Sequence, residues 1–182
     1  MSKPEIYISV DIEAAGPIPG EYSMLSVGAC LVDRPEETFQ RQLQPISEKF
    51  IPEALAVSGI TLEAATRDGI PPVDAMRDFA QWIGKNTKQA IPVFVGFNAP
   101  FDWSFVNWYF HRFLGNNPFG IGGIDIKAFY MGFAGCRWQQ TTSRQIPSQF
   151  QPAKPLTHDS LQDALAQAEM FRKLLAARLA DG

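Results

Sequence analysis

Apolar and polar side chains alternate from Ile6 to Ile12, and β-branched types dominate, which predicts a strand with one buried face. A turn-rich stretch follows, Gly16-Pro17-Ile18-Pro19-Gly20. Met24 to Val32 is then a nearly continuous apolar run, and Phe39 to Leu43 a shorter one beyond a turn at Arg34-Pro35. These read as two further strands. Their connections are too short for parallel crossovers, so the first three strands form an antiparallel meander.

The period then changes from two to about 3.6. Pro52-Glu53-Ala54-Leu55 opens a short helix that Gly59 ends, and Thr61 caps a second that stops at Gly69. From Pro72 to Gly84, Val73, Met76, Phe79, Ala80 and Ile83 form a helical stripe. Ile91 to Phe97 is apolar throughout, as in a central strand buried on both faces. Asn98 to Leu114 predicts a helix, Ile121 to Ile126 a short strand, and Ser160 to about Leu179 a final helix with Leu161, Leu165, Ala168, Phe171, Leu175 and Leu179 on one face. Gly135 to Thr157, rich in Gln, Ser, Thr and Pro, lacks a period and reads as a long loop. The order of elements predicts one mixed α/β domain over residues 1–182, without internal repeats.

Composition narrows this picture. With 46% hydrophobic and 19% charged residues, the chain can bury a sizeable core and is not globally disordered. A formal charge of −3 argues against a protein that coats long duplexes, though not against one that grips a few nucleotides at a strand end. Cys30 and Cys136 lack metal-ligand spacing and suggest a reducing compartment. Met1-Ser2-Lys3-Pro4-Glu5 is not an apolar leader and no run reaches membrane-spanning length, so the expectation is a cytoplasmic protein.

Candidate chemistry sits at three junctions. Asp11 and Glu13, two apart at the end of a strand, share a face and offer hard oxygen ligands to a cation; alone they are also what a solvated strand end looks like. Phe97-Asn98-Ala99-Pro100-Phe101-Asp102 lies where a buried strand enters a helix, the usual ligand edge of an α/β sheet; the plainer alternative is Asn98 as N-cap, with Asp102 in the first turns. In His158-Asp159-Ser160-Leu161-Gln162-Asp163, Asp159 and Gln162 resemble a capping box, which leaves His158 just outside a helix that carries Asp163.

Taken in order, Asp11-x-Glu13, Asn98-Ala99-x-Phe101-Asp102 and His158-x-x-x-x-Asp163 resemble the motifs of the DEDDh, or DnaQ-like, 3′→5′ exonucleases, the group of ribonuclease T, oligoribonuclease and proofreading subunits. Gln44-Pro45, Ile51-Pro52-Glu53-Ala54, Ser58-Gly59-Ile60-Thr61 and Ile124-Asp125 extend the resemblance over nearly the whole chain. It implies a ribonuclease-H-like fold, a mixed five-stranded sheet flanked by helices. It further implies two Mg²⁺ or Mn²⁺ ions held by Asp11, Glu13, Asp102 and Asp163, with His158 as general base and 5′-nucleoside monophosphates as products. Where the family often has two threonines and a glycine after its first motif, this chain has Ala14, Ala15 and Gly16, so hydroxyl contacts to the terminal nucleotide are missing.

Substrate contacts are expected from Met24 and Leu25, which resemble the family's apolar seat for the terminal base, and from Asn98 and Phe101. Arg137 and Arg144 join them, because no Asp or Glu occurs between Ile126 and His158 and that tract suits a phosphate backbone. Its alternative is a solvated polar loop. The aromatic helix from Asn98 to Leu114 reads as core or subunit contact, and a homodimer follows from the resemblance. RNA and DNA 3′ ends both remain open as partners. The rival functions are a catalytically silent nucleic-acid-binding or polymerase-accessory module and a hydrolase of small phosphodiesters.

Overall fold

The computed structural model describes residues 3–154 and 157–180. Its centre is a five-stranded sheet of β1 (Glu5–Ala14), β2 (Met24–Leu31), β3 (Thr38–Gln42), β4 (Ile91–Gly96) and β5 (Gly123–Asp125), in the order β3-β2-β1-β4-β5. The meander is antiparallel, whereas β4 and β5 add parallel to β1 and to each other. Alternation along β1 separates two jobs: Ile8, Val10 and Ile12 enter one core, while Ser9, Asp11 and Glu13 face the other way.

The lengths of the strands create the site. Pairing of β1 with β4 stops at Ser9–Val95, but pairing of β1 with β2 continues to Ala14, with a register shift after Glu13. The last five residues of β1 therefore run on beside a gap that β4 does not fill.

Helices α1 (Pro52–Ser58) and α2 (Leu62–Asp68) pack Leu55, Leu62 and Ala65 against Ala15 and Leu25. Helices α3 (Pro72–Thr87) and α4 (Pro100–Leu114) cover one sheet face through Met76, Phe79, Phe105, Tyr109 and Phe110. The aromatic residues of α4 are thus mainly core, and His111 is exposed. Helices α5 (Ile126–Ala134) and α6 (Ser160–Ala180) cover the other face with Ile126, Tyr130, Phe171 and Leu174. Among the described residues, no helix is long and apolar enough to cross a membrane.

Three expectations change. The predicted strand around Ile121–Ile126 shrinks to Gly123–Asp125, and the next nine residues form α5, whose first turn is capped by Asp125 accepting from Ala128 N–H at 2.7 Å. The tract 135–157 is not bare loop: Trp138–Thr141 and Ser148–Phe150 are 3₁₀ turns, and Ile146 and Phe150 are buried in the second core. Residues 155 and 156 of that tract lie outside the described residues. The face expected of α6 holds only in part: Ala168 and Phe171 are buried and Leu165 and Leu175 pack on the second core, but Leu179 is 82% exposed, and the buried line opens instead on Ser160, Asp163, Ala164 and Gln167.

Small and polar residues make that line because α6 starts almost in contact with the sheet. A Cβ on Gly28 would fall 2.3 Å from the backbone of Ser160 and Leu161. Gly28→Ala is expected to cost about 2 kcal/mol or more in urea unfolding, since neither backbone can yield without lifting the helix that carries Asp163.

Candidate active site

Asp11, Glu13, Asp102, His158 and Asp163 line one groove of about 450 Å³. Glu13, Asp102 and Asp163 are buried, at 8%, 5% and 4% exposure, and His158 lies exposed at the lip. The groove's other walls include Glu53, Ala54 and Val57 of α1, Ala14, and Phe97, Asn98 and Phe101. Helix α1 is held there by Ile51 N–H donating to Ala15 C=O at 2.8 Å.

Each acid is fixed by a different element. Asp102, in the first turn of its helix, reaches across to the sheet: Oδ1 accepts from Ile12 N–H at 3.1 Å, on the stretch of β1 that has outrun β4. The turn ahead of it holds Asn98 at φ 66°, a left-handed geometry that asparagine tolerates, so Asn98 is not the N-cap. Asp125 binds this turn through Ala99 N–H at 2.6 Å while capping α5. Asp163 accepts from Thr157 N–H at 2.7 Å and from His158 N–H at 3.1 Å, so both its oxygens anchor the segment that carries the histidine. His158 itself is left-handed at φ 60°, and Asp159 caps α6 by accepting from Gln162 N–H at 2.9 Å.

The residue that sequence reasoning missed is Gln167, one helical turn after Asp163 and only 3% exposed. Its Nε2 donates to Asp11 Oδ1 at 2.6 Å, and its Oε1 accepts from Phe97 N–H at 2.9 Å. The main-chain donor fixes the amide's orientation, so the NH₂ group must face Asp11. Its position in the helix period, in line with Asp163, was the available signal.

The remaining expected contacts divide. Phe101 is 37% exposed in the groove and Asn98 is on its wall. Met24 and Leu25 are each 0% exposed and present no surface to it, because both are taken up by hydrophobic cores. Arg144 lines an adjoining cavity of about 680 Å³ that shares Phe97, His158 and Gln167 with the groove, whereas Arg137 is exposed beside Trp138.

Four carboxylates in one partly buried place repel one another. Burial, and then the charges of Asp102, Asp163 and Glu13, raise Asp11 well above the usual carboxylate range, against the pull of Gln167. Burial, then Asp163 and Asp102, push Glu13 up to about 8, and burial pushes Asp102 to about 7 despite the N–H of Ile12. Such a set fits hard divalent cations in donor chemistry, and Glu13, His158 and Asp163 can bring ligand atoms within 4.8 Å of one another. With folded-state values raised, the native protein holds protons that the unfolded chain has released, so stability falls as pH rises from the ordinary carboxylate range towards about 8. Melting in EDTA is expected to show this fall, and Mg²⁺ or Glu13→Gln should flatten it; an equal slope in all three samples would assign it elsewhere.

The RNase_T exonuclease family model matches residues 8–171. Over 169 residues, 92% of this chain and 90% of the relative, the sequence is 52% identical to the 3′-5′ DNA exonuclease Cap18 of Escherichia coli. Among solved structures, a 3′-exonuclease that recognises the histone mRNA stem-loop aligns with TM-score 0.76 at 16% identity, covering 94% of this chain and 64% of that one. E. coli Exonuclease I in complex with a dT13 oligonucleotide aligns with TM-score 0.73 at 16% identity, over 97% of this chain and 43% of that one. The chain thus spans less than two thirds of either solved neighbour. The chain belongs to the RNase_T exonuclease family, and it shares the fold of a solved DEDDh nuclease domain. It is a 3′→5′ exonuclease by class, a phosphodiester hydrolase.

Proposed function

We propose that this protein removes 5′-nucleoside monophosphates from the 3′ ends of single-stranded DNA. The observation that carries the reading is the shared groove, where four carboxylates and His158 meet although they come from β1, α4, α6 and the segment before it. DNA is favoured over RNA because the relative at 52% identity is named as a DNA exonuclease.

Asp11, Glu13, Asp102 and Asp163 would hold two Mg²⁺ or Mn²⁺ ions. When bound, such ions supply Lewis-acid chemistry, easing water ionisation and neutralising the leaving oxygen. His158 accepts the proton of the attacking water through a ring nitrogen. Asp163 orients that histidine through the two N–H groups it accepts. The terminal base enters between Phe101 and Val57, which leave 37% and 52% of their surface exposed. Arg144 follows the backbone from the adjoining cavity, and Arg137 lies further out. Ala14 offers the terminal nucleotide no hydroxyl, so its grip is apolar. Unpaired Cys30 and Cys136 suit a cytoplasmic setting, and a homodimer is supported by the family resemblance alone.

Matched 5′-labelled DNA and RNA oligomers, incubated with Mg²⁺, Mn²⁺ or EDTA, test the reading. A ladder shortening from the 3′ end of DNA is expected, abolished by EDTA and by Asp11→Ala. Shortening of RNA alone would overturn the substrate. No shortening of either polymer would return the protein to the silent-module or small-phosphodiester readings.

A further inference from the structure

One cation beside the groove has no place in this chemistry. Lys127, in the first turn of α5, extends its ammonium over the indole of Trp138 at 4.3 Å from the ring centre and lies 6.0 Å from the ring centre of Phe97. Its Nζ donates to Asn98 Oδ1 at 3.4 Å. Phe97 and Asn98 are groove wall, so Lys127 and Trp138 continue that wall outward. Among the described residues Lys127 forms no salt bridge. Trp138 is 48% exposed, a large apolar face left in water.

We propose that Lys127 and Trp138 form a subsite for the nucleotides upstream of the cleaved bond, the ammonium taking a backbone phosphate and the indole stacking on a base. The proposal rests on the exonuclease reading and adds to it the course of the strand. Charge decides the course. Whatever enters the acid groove at its 3′ end drags a polyanion behind it, and the α1 wall presents Glu53. The Phe97–Asn98 wall leads instead into a tract that has no Asp or Glu from Ile126 to His158. Stacking on an exposed aromatic face and pairing with a lysine are the usual elements of sequence-tolerant single-strand binding. The cation–π contact holds Lys127 and Trp138 as one unit before a strand arrives.

The test compares Trp138→Ala, Trp138→Phe and Lys127→Gln with the unaltered enzyme on two substrates. One is a labelled dT12. The other is the p-nitrophenyl ester of thymidine 5′-monophosphate, which has a terminal nucleotide and nothing upstream. On dT12, Trp138→Ala is expected to raise KM about tenfold, Trp138→Phe far less, and Lys127→Gln to make the salt dependence shallower by about 0.7 in log–log slope. The ester should be cleaved at unaltered rates by all three. An unchanged KM on dT12, or an equal loss on both substrates, would overturn the subsite. Fluorescence anisotropy of labelled dT12 in EDTA reads binding without turnover. An inactive enzyme whose affinity still falls in Trp138→Ala would overturn the exonuclease reading and leave the subsite standing. Equal affinity of that variant and the unaltered protein would remove the subsite.

Discussion

Replacing His158 with alanine is expected to lower kcat by about 10²–10⁴-fold, the usual worth of a positioned general base, while leaving the fold and divalent-ion binding in place. The fold should survive because the imidazole is exposed and the anchoring bonds run from the main chain: Asp163 accepts from the N–H groups of Thr157 and His158, which alanine retains. The φ of 60° at this position adds a modest cost, since alanine is less at ease there than histidine.

The same variant separates two roles that geometry allows. His158 can bring a ring nitrogen within 4.8 Å of ligand oxygens of both Glu13 and Asp163, so it has the reach of a ligand as well as of a base. As a base, its loss leaves Mn²⁺ affinity by calorimetry unchanged and cuts turnover. As a ligand, its loss weakens Mn²⁺ binding in step with activity, and higher Mn²⁺ then restores much of the rate. Rescue by added metal would therefore remove the general-base role. Hard-ion preference for oxygen, together with four available carboxylates, favours the first outcome.

What the sequence disclosed and what it hid have distinct physical reasons. Strands and motifs on β1, β4 and α6 were legible because alternation and apolar runs report burial directly, and because the acids interrupt those patterns at element ends. Helix α5 was missed because Ile126 to Ala134 is only nine residues, too few to repeat a helical period clearly, and its first residue reads as the end of the preceding strand. The small and polar start of the buried face of α6 was missed for a different reason. Leucines mark a buried face only where there is room for them, and α6 starts with the backbone of Ser160 and Leu161 against Gly28, after which Asp163, Ala164 and Gln167 are the buried residues. Met24 and Leu25 were legible as apolar, but nothing in one dimension distinguishes an apolar residue that lines a groove from one sealed behind it. The joint placement of Asp102 and Ile12 was out of reach too, since it depends on where β4 stops relative to β1.

Gln167 carries the second large effect. Replacing it with leucine, apolar and one bond shorter, is expected to reduce kcat and Mn²⁺ affinity by about 10–100-fold, the range seen when an outer-sphere partner of a metal ligand is lost. The amide does two things at once. It holds Asp11 through Nε2 and takes the N–H of Phe97, the first residue beyond β4. In doing so it ties the sheet centre to the turn that leads to Asp102, from the helix that bears Asp163. Leucine would free the Asp11 carboxylate to rotate and strand a partly buried main-chain donor, at a cost of about 1–3 kcal/mol in stability. A purely structural role would lower the melting temperature and leave the metal affinity of the folded fraction intact. A positioning role lowers both, and asparagine, a methylene shorter, should not rescue it. Glutamate is the sharper probe. It matches the shape of glutamine but offers acceptors to Asp11 and adds a further acid to a groove already crowded with four, so Gln167→Glu is expected to fall below Gln167→Leu in turnover. Should Gln167→Glu bind Mn²⁺ and cleave dT12 like the unaltered enzyme, the orientation of Asp11 does not depend on this amide.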